Sequence, residues 1–145
     1  EMRRKMVVED QIEAVIGLGA NLFYNSPMEA MILVGNTNKP KERKGKVLFI
    51  NGKDDVIENK GLAYLTNDHI NKFYNTFKDF ENVPYYAKVA SKEEILSFDG
   101  NMNINFYVKR QKSENDLSFG QSYKDWHETG ESLKESINNL FEELQ

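Results

Sequence analysis

The sequence predicts an α/β chain, and two patterns predict it. Short apolar runs rich in β-branched residues recur at 13–18, 30–34 and 46–51, and segments with helical spacing and cap chemistry follow them. With 145 residues, 39% hydrophobic and 29% charged, the chain has room for one domain, or a piece of one, with a sizeable core. No apolar run approaches the roughly 20 residues that a membrane-spanning helix needs. Arg3, Arg4 and Lys5 lead only to Met6-Val7-Val8 before Glu9 and Asp10, so no secretory leader is expected. A chain that starts at Glu1 is expected to derive from a longer parent.

Cysteine is absent, which removes disulfides, thiolate metal sites and a cysteine nucleophile, and a cytoplasmic setting is expected. A net charge of −4 argues against a chain that binds nucleic acid over its whole surface, because phosphate neutralisation needs clustered Lys and Arg. A local basic patch stays open.

The elements follow in order. A polar, basic start reads as the tail of a helix, and Glu13-Ala14-Val15-Ile16-Gly17-Leu18 reads as a buried strand. Asn25-Ser26-Pro27 supplies turn chemistry, and Ala30-Met31-Ile32-Leu33-Val34 is a second buried strand. The polar stretch 36–45 holds Pro40 and Gly45, and Lys46-Val47-Leu48-Phe49-Ile50-Asn51 forms a third strand that is expected to pair with the second as a hairpin. Residues 51–65 carry few periodic apolar positions and read as a surface loop. Thr66, Asn67 or Asp68 caps a helix whose Ile70, Phe73, Tyr74 and Phe77 share one face that is expected to be buried. Val83-Pro84 ends that segment. Ala87 to Ala90 is extended, Ser91 with Glu94 opens a short helix to about Phe98, and Gly100 stops it. Lys109 to Ser122 reads as a linker. In the last helix Trp126, Leu133, Ile137, Leu140 and Leu144 form a narrow stripe of the coiled-coil kind, which needs a partner to bury it.

Few constellations carry chemistry. Gly17-Leu18-Gly19-Ala20-Asn21-Leu22 sits where a dinucleotide-binding turn would, but Leu22 replaces the third glycine, so a glycine turn leaving a strand is the better reading. His69 and His127 lack a second ligand at helical spacing, and no serine sits in a nucleophile-elbow pattern. Lys39, Lys41, Arg43, Lys44 and Lys46 place five cations within eight residues, either as a phosphate contact or as solubilising charge. Asn21-Leu22-Phe23-Tyr24-Asn25 puts two aromatics at a strand-to-loop junction, suited to stacking a base or to packing inward.

Several of these strings together resemble one family. Glu13-Ala14-Val15-Ile16-Gly17-Leu18 leading to Asn21-Leu22-Phe23-Tyr24, then Ala30 to Val34, Asn38-Lys39-Pro40 and Gly45 to Asn51, are similar to the modification subunit of type I restriction-modification systems, a DNA adenine N6-methyltransferase. Leu65-Thr66 with His69-Ile70, Ala87-Lys88-Val89 with Glu93-Glu94-Ile95, and Asn101 to Asn105 with Tyr107-Val108 extend the resemblance from about residue 6 to about residue 109.

The resemblance implies the C-terminal part of a Rossmann-like methyltransferase sheet, its last strand plus a closing β-hairpin, with flanking helices and a C-terminal helix. On that reading residues 1–108 are the end of the catalytic domain, 109–122 a linker and 123–145 a subunit-packing helix. The family's S-adenosylmethionine motif and its Asn-Pro-Pro-Phe motif precede this region, and Pro27, Pro40 and Pro84 are not adjacent. No catalytic residue, cofactor site or metal site is therefore expected here, and the isolated chain is expected to be inactive. The family's aromatic base-stacking role carries over to Phe23, with Asn21 as its neighbour. Gly19 departs from the family's usual proline. Expected partners are DNA, a specificity subunit gripped by the terminal helix, and a restriction subunit, with self-association of the truncated chain also open. Two other readings stand beside it: an interaction module that works through the terminal helix, and a small DNA-binding protein that uses the basic segment.

Overall fold

The computed structural model describes residues 1–24, 26–59, 61–109 and 119–143. The chain divides into two compact units, Glu1–Arg110 and Gln111–Gln145.

The first unit begins with helix α1 (Met2–Val8) and strand β1 (Ile12–Leu18), all seven of whose residues are buried. A strand buried on both faces needs hydrogen-bonding partners along both edges. Strand β2 (Ala30–Gly35) lies antiparallel on one side of it and β3 (Lys46–Gly52) lies parallel on the other; with β6 (Ala87–Ser91) beyond β3, the four-stranded sheet is ordered β2-β1-β3-β6. The hairpin expected between 30–34 and 46–51 does not form. β1 sits between them, because the most apolar strand takes the centre and leaves each neighbour one inner edge.

The connection from β2 to β3 must then pass around the start of β1. Asn36 donates its backbone N–H to the Gln11 carbonyl at 2.8 Å, and Pro40 leads into a 3-10 turn at Lys41–Arg43. Strands β4 (Ile57–Asn59) and β5 (Leu62–Tyr64) form a small antiparallel hairpin within the stretch expected to be a loop. Three-residue strands lie below the length at which apolar alternation can be read.

Helix α2 (Asn67–Asp79) is capped by Thr66, whose Oγ1 accepts the His69 N–H at 3.3 Å while His69 Nδ1 faces the Thr66 N–H at 3.5 Å. His69 is therefore part of a helix cap. Of the four residues expected to be buried on this helix, Phe73 is buried and Phe77 half-buried, but Ile70 and Tyr74 are exposed. The helix rests on one face of the sheet, against Ile16, Leu48 and Ile50, and a face that narrow covers less than the full stripe.

Strand β6 (Ala87–Ser91) pairs antiparallel with β3, and Ser91 Oγ accepts the Glu94 N–H at 3.1 Å to open α3 (Lys92–Ser97). Gly100, at φ 68°, lies just beyond its end. Val7, Ile95, Met102 and Ile104 close the opposite sheet face over Val15, Val47 and Phe49. Tyr107 stacks on Phe49 with ring centroids 3.9 Å apart and donates its hydroxyl to the Asn101 carbonyl.

The two sheet edges differ. The outer edge of β6 is covered: Asn82 Oδ1 accepts the Val89 N–H at 2.8 Å and Val83 exchanges backbone bonds with Ala87. Among the described residues no strand lies beside the outer edge of β2, and Met31, Ile32 and Leu33 are exposed there, where burial was expected.

In the second unit, helix α4 runs Phe119–Glu143 and so starts within the expected linker. The rest of that linker, residues 110–118, lies outside the described residues, as do Leu144 and the side chain of Leu140. No described helix is long and apolar enough to cross a membrane.

Candidate functional site

The loop that leaves β1 carries the aromatic candidates. Leu22 packs into the core under α2, which turns the following residues outward. Phe23 is 58% exposed and Tyr24 90%, so the inward-packing alternative is not what the fold adopts. Ser26 donates its N–H to the Phe23 carbonyl at 3.1 Å, closing a tight turn with Phe23 at its base. Asn21 adopts a left-handed φ of 59°, a conformation that asparagine tolerates better than most residues, and its carbonyl accepts the Ala63 N–H at 2.9 Å. Asn25 lies outside the described residues. An exposed aromatic ring on a turn tied down through its backbone is suited to stacking against a planar group.

The basic segment has a different fate. Lys39 is buried; its Nζ donates to Asp10 at 2.6 Å and to the Lys46 carbonyl at 2.9 Å. Arg43 pairs with buried Glu13 at 3.0 Å, donates to the Lys78 carbonyl at 2.7 Å, and lies 5.1 Å from the Phe77 ring and 4.5 Å from the Phe80 ring. Lys39 and Arg43 therefore leave the phosphate-contact set. They pin the crossover of the chain around the start of β1, a long-range role that charge spacing does not reveal. Lys41, Lys44 and Lys46 remain exposed.

Burial works to raise the Asp10 carboxyl, but the Lys39 hydrogen bond, the Gly45 N–H at 2.9 Å and the charges of Lys39 and Lys92 outweigh it, holding the group below the usual carboxylate range. Glu13 also accepts from Asn36 Nδ2 at 2.9 Å.

The aromatic loop and the basic segment do not meet. β1 and β3 are parallel, with Ala14 beside Leu48 and Leu18 beside Gly52. Phe23 follows the end of β1 while Lys46 opens β3, so the two sets stand at opposite ends of strands about 20 Å long.

The glycine turn that leaves β1 is tightly packed. A Cβ on Gly17 would stand 2.6 Å from the Ile104 side chain, and one on Gly19 would stand 2.6 Å from the Lys53 carbonyl and 2.7 Å from Val56. Both glycines are therefore explained by close packing against the protein's own atoms, and neither is a glycine kept bare for a ligand. Among the described residues no group of three or more His, Asp or Glu could hold a metal ion.

Residues 1–116 match the N-6 DNA methylase family, four-fifths of the chain. The chain belongs to that family. A type I restriction enzyme methylase subunit of Methanocaldococcus jannaschii, MjaVIII, is 39% identical over 127 residues, which cover 86% of this chain and 22% of that protein. The HindI methylase subunit of Haemophilus influenzae is 30% identical over 123 residues, 80% of this chain and 27% of that protein. A solved structure of the type I restriction-modification methyltransferase subunit from Streptococcus thermophilus is similar with a TM-score of 0.69 and 32% identity, over 75% of this chain and 22% of that one. The chain thus spans about a quarter of the length of these relatives.

On α4, Trp126, Leu133 and Ile137 of the stripe are exposed, and His127 lies 6.4 Å from the Tyr123 ring, between centroids. The Glu29–Lys53 ion pair and the Asn21–Ala63 bond were not expected from sequence; both join segments about 24 to 42 residues apart, and no local pattern signals such pairs.

Proposed function

We propose that this chain is the C-terminal portion of the catalytic subunit of a type I restriction-modification DNA methyltransferase, which as a whole transfers a methyl group from S-adenosylmethionine to the N6 amine of adenine. Phe23 stacks on the extruded adenine, with Asn21 fixing the turn beside it. The exposed ring of Phe23 on a backbone-anchored turn at the end of β1 carries the reading, in a family named for N-6 DNA methylation. The apolar edge of β2, unpaired among the described residues, supports it, because proteins usually blunt or cover an exposed edge, as Asn82 and Val83 cover that of β6 here. On this reading β2 continues into the rest of a Rossmann-like sheet, which holds the cofactor, and the isolated chain is inactive.

Two experiments test it. Calorimetric titration of the isolated chain with S-adenosylmethionine should give no heat of binding; stoichiometric binding would mean that the catalytic centre has been misassigned. In the whole subunit, assembled with its specificity subunit in the cytoplasmic setting expected for it, Phe23→Ala should depress methylation of target adenine while cofactor binding stays unchanged.

A second activity of the same chain is favoured by the exposed stripe of α4. Trp126, Leu133 and Ile137, joined by Leu140 and Leu144 in sequence, dock on a helix of the specificity subunit. Leu133→Asp with Ile137→Asp should abolish assembly with that subunit in size-exclusion chromatography. Unaltered assembly would rule the stripe out.

A further inference from the structure

The loop that bears Phe23 touches one segment three times. Gly19, at its start, sits so close to the Lys53 carbonyl and Val56 that no Cβ fits between them. Asn21 accepts the Ala63 N–H in its middle, and Glu29 pairs with Lys53 at its end. All three contacts come from Lys53 and Val56, which follow β3, and from Ala63 in the small β4–β5 hairpin. The Lys53 side chain is 14% exposed and Glu29 47%, so this pair sits in partly excluded solvent rather than in the open.

The hairpin has little core of its own: Ala63 is buried, while its neighbours Leu62 and Tyr64 are half exposed. The N–H of Ala63 reaches away from the hairpin to the loop, so the strand spends a backbone donor on holding Asn21. Three ties spaced along eleven residues restrict a loop far more than one, because each divides the remaining chain into shorter, stiffer pieces.

We propose that Lys53, Val56 and Ala63 form a positioning brace that sets the height and orientation of Phe23, with Lys53 and Ala63 acting on the target base only through that ring. The inference rests on the reading of Phe23 as the stacking residue. A stacking group shifted by about 1 Å loses much of its effect on rate while ground-state DNA affinity, made elsewhere, is kept.

The test uses the whole subunit assembled with its specificity subunit, and duplex DNA carrying 2-aminopurine at the target adenine, whose fluorescence reports the environment of the extruded base. Lys53→Ala combined with Ala63→Pro removes the ion pair and the N–H donor. This variant should lower kcat on the order of 10–100-fold and leave KM for DNA within about threefold. Its 2-aminopurine signal should move from the wild-type value in the same direction as that of Phe23→Ala. Lys53→Arg, which keeps the pair with Glu29, should restore the signal and most of the rate. Lys53→Ala alone changes no core side chain and decides the matter if the double variant unfolds. Wild-type kcat and fluorescence in these variants, with a clear loss in Phe23→Ala, would overturn the brace alone; wild-type behaviour in Phe23→Ala as well would overturn the stacking reading beneath it.

Discussion

The two ends of the central strand treat their side chains in opposite ways. Before β1 and along its start, charged residues are drawn inward: Lys39 is buried on Asp10, and Arg43 reaches Glu13 across the crossover. After its end, aromatic residues are turned outward, with Tyr24 almost fully exposed and Phe23 more than half so. Residue type alone would assign the reverse. The difference shows that connectivity decides exposure: a segment that must wrap a strand end uses its cations to anchor the wrap, whereas a loop already anchored by Leu22 and its backbone leaves its rings free.

Breaking the anchored end should have the largest effect. Arg43→Ala leaves Glu13 with the Asn36 amide and takes away the donor to the Lys78 carbonyl at the end of α2, so a loss of about 2–4 kcal/mol is expected. Urea denaturation of the chain measures it; a change under 1 kcal/mol, on the scale of an exposed pair, would show that the crossover is held by something else.

At the other end, Phe23→Ala should leave the denaturation midpoint within about 0.5 kcal/mol of wild type, as for an exposed side chain, while costing the whole enzyme about 1–3 kcal/mol in transition-state stabilisation, the worth of one stacked base. Steady-state kinetics on the assembled enzyme reads the second quantity. A stability loss without a kinetic one would turn Phe23 into a packing residue.

Acid sharpens the contrast next. The folded Asp10 carboxyl is held below its ordinary value near 3.9, so its pairing contributes in full above about pH 4 and fades as pH falls through the folded value. Asp10→Asn should therefore cost about 1–2 kcal/mol at pH 7 and progressively less below pH 4, flattening the acid limb of the stability curve. Denaturation midpoints across that range decide it. The smallest effect belongs to Lys41→Ala with Lys44→Ala, exposed cations of the same segment, which should shift stability by no more than about 0.5 kcal/mol.

Much of this was legible beforehand. The runs at 13–18, 30–34 and 46–51 are strands, Thr66 caps α2, and Ser91 caps α3, because each depends on side chains within a few residues. Strand order was not legible. The run at 30–34 is as apolar as a central strand, yet its outer edge is unpaired, and nothing in Ala30-Met31-Ile32-Leu33-Val34 tells which neighbour it chooses. Phe23 was singled out through the family resemblance, its place after a strand leaving stacking and inward packing both open, whereas the contacts of Gly19, Asn21 and Glu29 with Lys53, Val56 and Ala63 were not legible, since they meet only through the sheet.

By itself the sequence determined the longer local elements, two helix caps and the family, because those follow from periodicity, short-range hydrogen bonding and the order of motifs. The tertiary structure alone decided that β1 takes the centre, that Lys39 and Arg43 become anchors, and that Phe23 faces outward. These outcomes depend on which distant segments satisfy one another's backbone groups and charges, and that competition has no signature within a few residues of chain.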